Sequence, residues 1–181
     1  MVNKSFSVRN ITYIAVFTSL MSTLSPLAIP LPGGVPISLQ PWLISLAGII
    51  LGPRHGTVST LLYITLGAIG LPVFANFAGG FGIILGPTGG FIMTFPILSL
   101  FSGIGAKKGN IIFIIIGQLV GTVFNFVGGS LWFMYITGAS LQTAIVITIL
   151  PFLVFAMIRI IALPFIAMAF KFALLKSGVT I

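Results

Sequence analysis

Cysteine, aspartate and glutamate are missing from this chain, and histidine occurs once, as His55. Without cysteine there is no disulfide frame and no thiolate nucleophile. Without carboxylate side chains there is no acid–base pair, no Ser-His-Asp triad and no acidic metal site. No G-x-x-x-x-G-K-[ST] loop is present either; Lys107 and Lys108 follow glycines at a different spacing, so nothing here cradles nucleotide phosphates. Only 4% of the residues are charged, all of them Lys or Arg, where a soluble domain carries about 25%. These absences exclude a soluble globular domain and point away from an enzyme and from any cofactor or metal. Nucleic acid is no better a partner, because the basic residues are scattered singly along an apolar chain.

What the chain does have is hydrophobicity: 58% of its 181 residues, with a mean hydropathy of +1.28. That composition describes an all-α polytopic protein of the lipid bilayer. At ~20 residues per span the length allows about six transmembrane helices, so residues 1–181 form a single membrane domain with no room for a soluble one. Apolar runs cover about 11–29, 38–51, 57–74, 91–105, 111–136 and 141–172, the last interrupted by Pro151 and Pro164. With the N-terminus cytoplasmic, Lys4, Arg9, Arg54, Lys107, Lys108, Lys171 and Lys176 all fall on the inner side, and the outer connections hold no Lys or Arg. Seven of the eight cations thus obey the positive-inside rule, which predicts six helices with both termini cytoplasmic. The N-terminal segment has the charge and apolar run of a signal peptide, but with more spans behind it and no convincing cleavage site it is expected to stay as a helix.

The eighth cation, Arg159, lies within the last run, ~18 Å from the cytoplasmic end at 1.5 Å per residue. Placing it at a helix centre costs at least ~2.5–3.5 kcal/mol, and no carboxylate side chain exists to pair with it. Its guanidinium must meet backbone carbonyls, water, outer headgroups or an anionic ligand, whose two carboxylate oxygens suit its fork. Anchoring in the headgroup layer is the competing role. The Pro30–Pro36 segment, the glycine-rich stretch Asn76–Gly90 and the Pro151 break all map to that same outer side. Irregular backbone at membrane depth must be buried in protein or line a cavity, so together with Arg159 these segments outline a small-molecule pocket open to the outside; ordinary extracellular turns are the alternative. Polar and aromatic candidates near it are Gln40, Asn76, Thr88, Asn125, Trp42, Trp132 and Tyr135, with helix–helix hydrogen bonding the competing role for Asn125 and Gln118, and an interfacial belt for the tryptophans and Tyr135. Small residues recur every four positions, at Gly48 and Gly52, at Gly117, Gly121 and Gly129 around Asn125, and at Ala15 and Ser19, as in close helix packing. His55 reads as a solvated turn residue.

The segment Pro30-Leu31-Pro32-Gly33-Gly34-Val35-Pro36-Ile37-Ser38-Leu39-Gln40 resembles the first-loop signature of the BioY family, the biotin-specific substrate-binding (S) components of energy-coupling-factor (ECF) transporters. Gly70-Leu71-Pro72-Val73-Phe74, followed by Gly86-Pro87-Thr88-Gly89-Gly90-Phe91, resembles its second signature, and Pro151-Phe152-Leu153 the start of a third. The third departs: where the family reads roughly Pro-Phe-x-Pro-Gly-Asp-x-x-Lys, this chain has Val154, Phe155 and Ala156 at the Pro, Gly and Asp positions and Arg159 at the Lys. The resemblance covers nearly the whole chain. It implies a cell-membrane, multi-pass protein that binds biotin from outside, and of the family's Asp and Lys ligand contacts only the cation carries over, onto Arg159. With the residues read from the chain itself, the candidate ligand residues are Arg159, Asn76, Asn125, Gln40, Thr88, Gly33, Gly34 and Trp132. The resemblance also implies partners, namely a transmembrane coupling protein and a cytoplasmic ATPase pair, with Ala15 and Ser19 standing for the family's Ala-x-x-x-Ala face on the first helix. The rival readings are an S component for another small anionic vitamin and a membrane assembly subunit that binds no ligand.

Overall fold

The computed structural model describes residues 7–31 and 34–176, with side chains to residue 169. Lys4 and Gly33, and the side chains of Lys171 and Lys176, lie outside these. The fold is mostly helical. It runs α1 (Val8–Leu24), the two-residue strands β1 (Ala28–Ile29) and β2 (Ile37–Ser38), α2 (Gln40–Ala68), a 3-10 turn (Ala75–Phe77), α3 (Phe81–Leu85), α4 (Gly89–Lys107), α5 (Ile111–Thr137), α6 (Leu141–Thr148) and α7 (Leu150–Lys176). α4, α5 and residues 150–169 of α7 are each long and apolar enough to cross a membrane.

Although its residues form one continuous run, α2 is folded back on itself. Gly52 has φ 78° and ψ 174°, a region open essentially to glycine. There the chain reverses, and residues 40–51 pack against 53–68. In a straight helix Gln40 and Tyr63 would stand ~35 Å apart; instead the Gln40 amide donates to the Tyr63 hydroxyl at 2.7 Å, and Gly56 packs on Ala47 and Gly48. The Gly48/Gly52 pair expected to pack is therefore divided in role. A Cβ on Gly48 would lie 2.2 Å from the Ser99 carbonyl oxygen, whereas one on Gly52 would meet nothing within 4 Å. The first glycine seats α2 on α4; the second makes the turn.

The α5 glycines do pack as their spacing suggests. Gly117 faces the backbone of Phe101 and Gly105, Gly121 that of Leu98, and Gly129 the Phe91 ring, which brings α5 antiparallel against α4. α1 lies against the second arm of α2 through Thr18 and Ser59, joined at 3.0 Å. The Gly52 reversal meets the end of α4, where Gly103 touches the Pro53 backbone, so Arg54, Lys107 and Lys108 gather at one end of the molecule. α7 reaches that end too, where Ala167 and Met168 line a crevice with Ile49, Ala106 and Ile114.

The opposite end departs from the expected runs. Helix α1 stops at Leu24, and residues 28–29 pair antiparallel with 37–38. The third run, expected to reach Phe74, is helical only to Ala68. Residues 76–90 are not a long structureless loop, because α3 and the 3-10 turn shape them. The last run breaks at Ile149, one residue before α7. Pro151 sits in the first turn of α7, where its missing N–H costs nothing, and Pro164 lies inside α7 without ending it.

Candidate functional site

At this irregular end the structure holds a cavity of about 790 Å³ lined by the β1–β2 segment, the 75–78 turn and the facing walls of α2, α4, α5 and α7. That volume falls in the range of small-molecule pockets. Gln40, Asn76, Thr88, Asn125, Arg159 and Gly34 all line it. Six residues spread over more than a hundred positions of sequence are thus brought to one space. Gly33 lies outside the described residues. Trp132 is not part of the lining: its indole N–H donates to the Gly86 carbonyl at 2.9 Å, and its side chain packs over Gly90. It braces the Gly86–Gly90 turn behind the wall instead of facing into the cavity. Trp42, a candidate near the pocket with an interfacial belt as its competing role, does line the cavity.

Arg159 is 3% exposed, so it does not reach out to the headgroup layer as an anchor would. Its Nη2 donates to the Thr122 hydroxyl at 2.5 Å. Thr122 in turn donates to the Gln118 carbonyl at 2.6 Å, and the Gln118 amide donates to the Ile160 carbonyl at 3.3 Å. This relay is neutral throughout. It orients the guanidinium without cancelling its charge, and the Arg159 Nε has no hydrogen-bond partner.

Asn125 lies one turn beyond Thr122 on the same face of α5. Its amide nitrogen donates to the Phe91 carbonyl at 2.9 Å and to the Thr94 hydroxyl at 2.8 Å. A backbone carbonyl can only accept, so the Phe91 contact fixes which end of the carboxamide is nitrogen. The side-chain oxygen is left as an acceptor at the cavity wall. Gln40 is committed differently. Its amide nitrogen donates to the Tyr63 hydroxyl, its oxygen accepts from Ser38 at 3.0 Å, and Tyr63 donates onward to the Val73 carbonyl at 3.0 Å. Both ends of this carboxamide are therefore engaged in joining β2 to the two arms of α2. Asn76 stands at φ 58°, a left-handed conformation that asparagine tolerates better than most residues. Its backbone N–H donates to the Pro26 carbonyl at 2.9 Å, which ties the 75–77 turn to the chain just before β1.

The apolar walls come from rings that sequence reading did not assign: Phe91 and Phe95 on α4, Phe126 on α5, Phe152 and Phe155 on α7. Helical spacing could have found some of them. Phe152, Phe155, Ala156 and Arg159 follow an i, i+3, i+4, i+7 pattern and so share one face of α7. Ala156, at the position of the acidic residue in the resembled motif, is itself in the lining. Among the described residues no group of His, Cys, Asp or Glu could hold a metal ion.

Comparison with known proteins agrees with the resemblance. The sequence model of the BioY family matches residues 1–176. A Pyrococcus horikoshii protein named "Probable biotin transporter BioY" is 38% identical over 146 residues, covering 81% of this chain and 86% of that one. The biotin transporter BioY of Thermotoga maritima is 32% identical over 164 residues, covering 90% and 96%. A crystal structure of the S-component for biotin from an ECF-type ABC transporter superposes with a TM-score of 0.84 at 30% identity, over 94% of each chain. With the match running from its first residue into the last turn of α7, this chain belongs to the BioY family.

Proposed function

We propose that this chain is the biotin-binding S component of an ECF-type uptake transporter, a multi-pass protein of the cell membrane that acts as a single transmembrane domain without a cofactor. The observation that carries the reading is Arg159: a charge 3% exposed, in the wall of a ligand-sized cavity, in a chain with no carboxylate side chain to offset it. Biotin is complementary to this arrangement. Its carboxylate suits the guanidinium, its bicyclic head suits the aromatic walls, and a ureido N–H suits the free oxygen of Asn125. Asn125 supplies the acceptor that is missing where Ala156 replaces an acid.

Six spans fit this geometry: α1, the two arms of α2, α4, α5 and α7. Arg54, Lys107 and Lys108 would then lie on the cytoplasmic side with both termini, and the cavity would open outward. Ala15 and Ser19 are exposed on α1, as a face for the coupling protein requires, and energy would come from the ATPase pair bound to that partner.

Equilibrium binding of biotin to the purified protein in detergent tests the ligand. Tight binding of a different vitamin acid, with no binding of biotin, would keep the fold and move the substrate, an outcome that Ala156 makes the second reading. Copurification with a coupling protein and ATPases, lost in Ala15→Leu while biotin binding persists, tests the partners.

A further inference from the structure

We infer that the same cavity, before its organic ligand arrives, is a binding site for a small monovalent inorganic anion of the halide or nitrate class seated on Arg159. Arginine stays protonated in proteins, so its charge cannot be relieved by losing a proton. Of its five donors, the one on Nη2 that meets Thr122 is engaged, and the hydroxyl it meets is neutral. Thr122 donates onward to the Gln118 carbonyl and the Gln118 amide nitrogen to the Ile160 carbonyl. The Gln118 side-chain oxygen is buried without a hydrogen-bond partner, and as a neutral amide oxygen it does not cancel the charge. The cavity that Arg159 lines is walled largely by aromatic and aliphatic side chains, Phe126, Phe155 and Ala156 among them, with the neutral carboxamide of Asn125 in the same wall. In so apolar a setting an uncancelled charge interacts strongly with any ion that can enter, and the cavity is large enough to admit one.

The walls also set a preference. An ion entering this space gives up most of its hydration. Weakly hydrated anions such as iodide, bromide and nitrate should therefore bind better than chloride, and fluoride worst. Because the anion and a ligand carboxylate would share one guanidinium, they compete, and the apparent affinity of a carboxylate ligand falls as halide rises. This competition rests on the biotin reading; the anion site itself does not.

The test uses the full-length protein in neutral detergent. Trp132→Phe leaves Trp42, which lines the cavity, as the sole tryptophan. Bromide is titrated against fluoride at constant ionic strength, so that screening is the same in both arms. Saturable bromide quenching of Trp42 is expected, reversed by biotin and abolished in Arg159→Gln. For the unsubstituted protein, biotin Kd from calorimetry should rise ~5–10-fold in bromide relative to fluoride by simple competition, which does not require the Arg159 variant to fold. Linear quenching that biotin does not alter, with an identical biotin Kd in both salts, would overturn the anion site and leave the biotin reading standing. Saturable quenching in a protein that binds no biotin would do the reverse.

Discussion

α5 presents two faces that use side-chain size in opposite ways. Toward α4, Gly117 and Gly121 let backbones touch, so that a single added methyl group on Gly117 would lie 2.4 Å from the Phe101 carbonyl oxygen. Turned toward the cavity, Thr122, Asn125 and Phe126 share the wall with Arg159 on α7. The seam and the cavity wall are made by the same helix, and the seam runs on beside the wall, where Gly128 meets Thr94 and Gly129 the Phe91 ring. Polar groups follow the division. In the seam the cost of ordering is met by close contact of helices with no large side chain between them. Around the cavity, hydroxyls and amides orient the few polar groups in the lining, and rings fill the rest.

Substitutions can break this contrast at either end. The largest effect is expected where glycine seats α2 on the other side of α4, by the same close approach as in the α5 seam. Gly48→Ala places a Cβ 2.2 Å from the Ser99 carbonyl oxygen, against backbone that cannot yield, and should destabilise by about 3 kcal/mol, read as loss of a monodisperse peak and a lower Tm in detergent. On the cavity side, Arg159→Met should weaken binding of biotin by about 2–3 kcal/mol, roughly 100-fold, while its methyl ester loses far less. Equal losses for acid and ester in a binding isotherm would move Arg159 from the carboxylate to the ring. Asn125→Leu should cost acid and ester alike about 1–2 kcal/mol, because it reads the part of the ligand the two share; a loss confined to the acid would contradict its role as an acceptor. Gly52→Ala should cost about 1–2 kcal/mol of stability from backbone strain alone, with ligand affinity unchanged, since no atom lies within 4 Å of the new Cβ. Tyr63→Phe removes the support of Gln40 and the donation to Val73, and should lower stability by about 1 kcal/mol in a thermal melt.

The pair Gly48 and Gly52 shows where sequence reading runs out. Their four-residue spacing is the same as that of Gly117 and Gly121, and periodicity treats them alike. Only backbone dihedrals separate a packing glycine from a turning one, and those depend on which chain segment lies opposite. Asn125 is similar. Its place in an apolar run marked it as a polar group needing a partner, with ligand and helix both open. The structure commits the nitrogen to α4, through the Phe91 carbonyl and the Thr94 hydroxyl, and sets the same residue in the cavity lining; a ligand contact for its oxygen is part of the proposed function. Trp132 and Trp42, read alike from sequence, part for the same reason: both are apolar bodies with one donor, and only the Gly86 carbonyl directs Trp132 to the turn while Trp42 lines the cavity.

Composition and charge order alone established a helical membrane protein without acid–base or nucleotide chemistry, because hydropathy and the absence of carboxylates are properties of residues rather than of their arrangement. They also singled out Arg159, since an unpaired cation in an apolar run is costly wherever the chain puts it. Tertiary structure decided the rest: that Arg159 turns inward, that Gln40 is occupied by Tyr63, and that rings from α4, α5 and α7 enclose one space. Those outcomes depend on contacts between segments far apart in the chain: the local period puts Phe152, Phe155 and Arg159 on one face of α7 but does not say what that face meets.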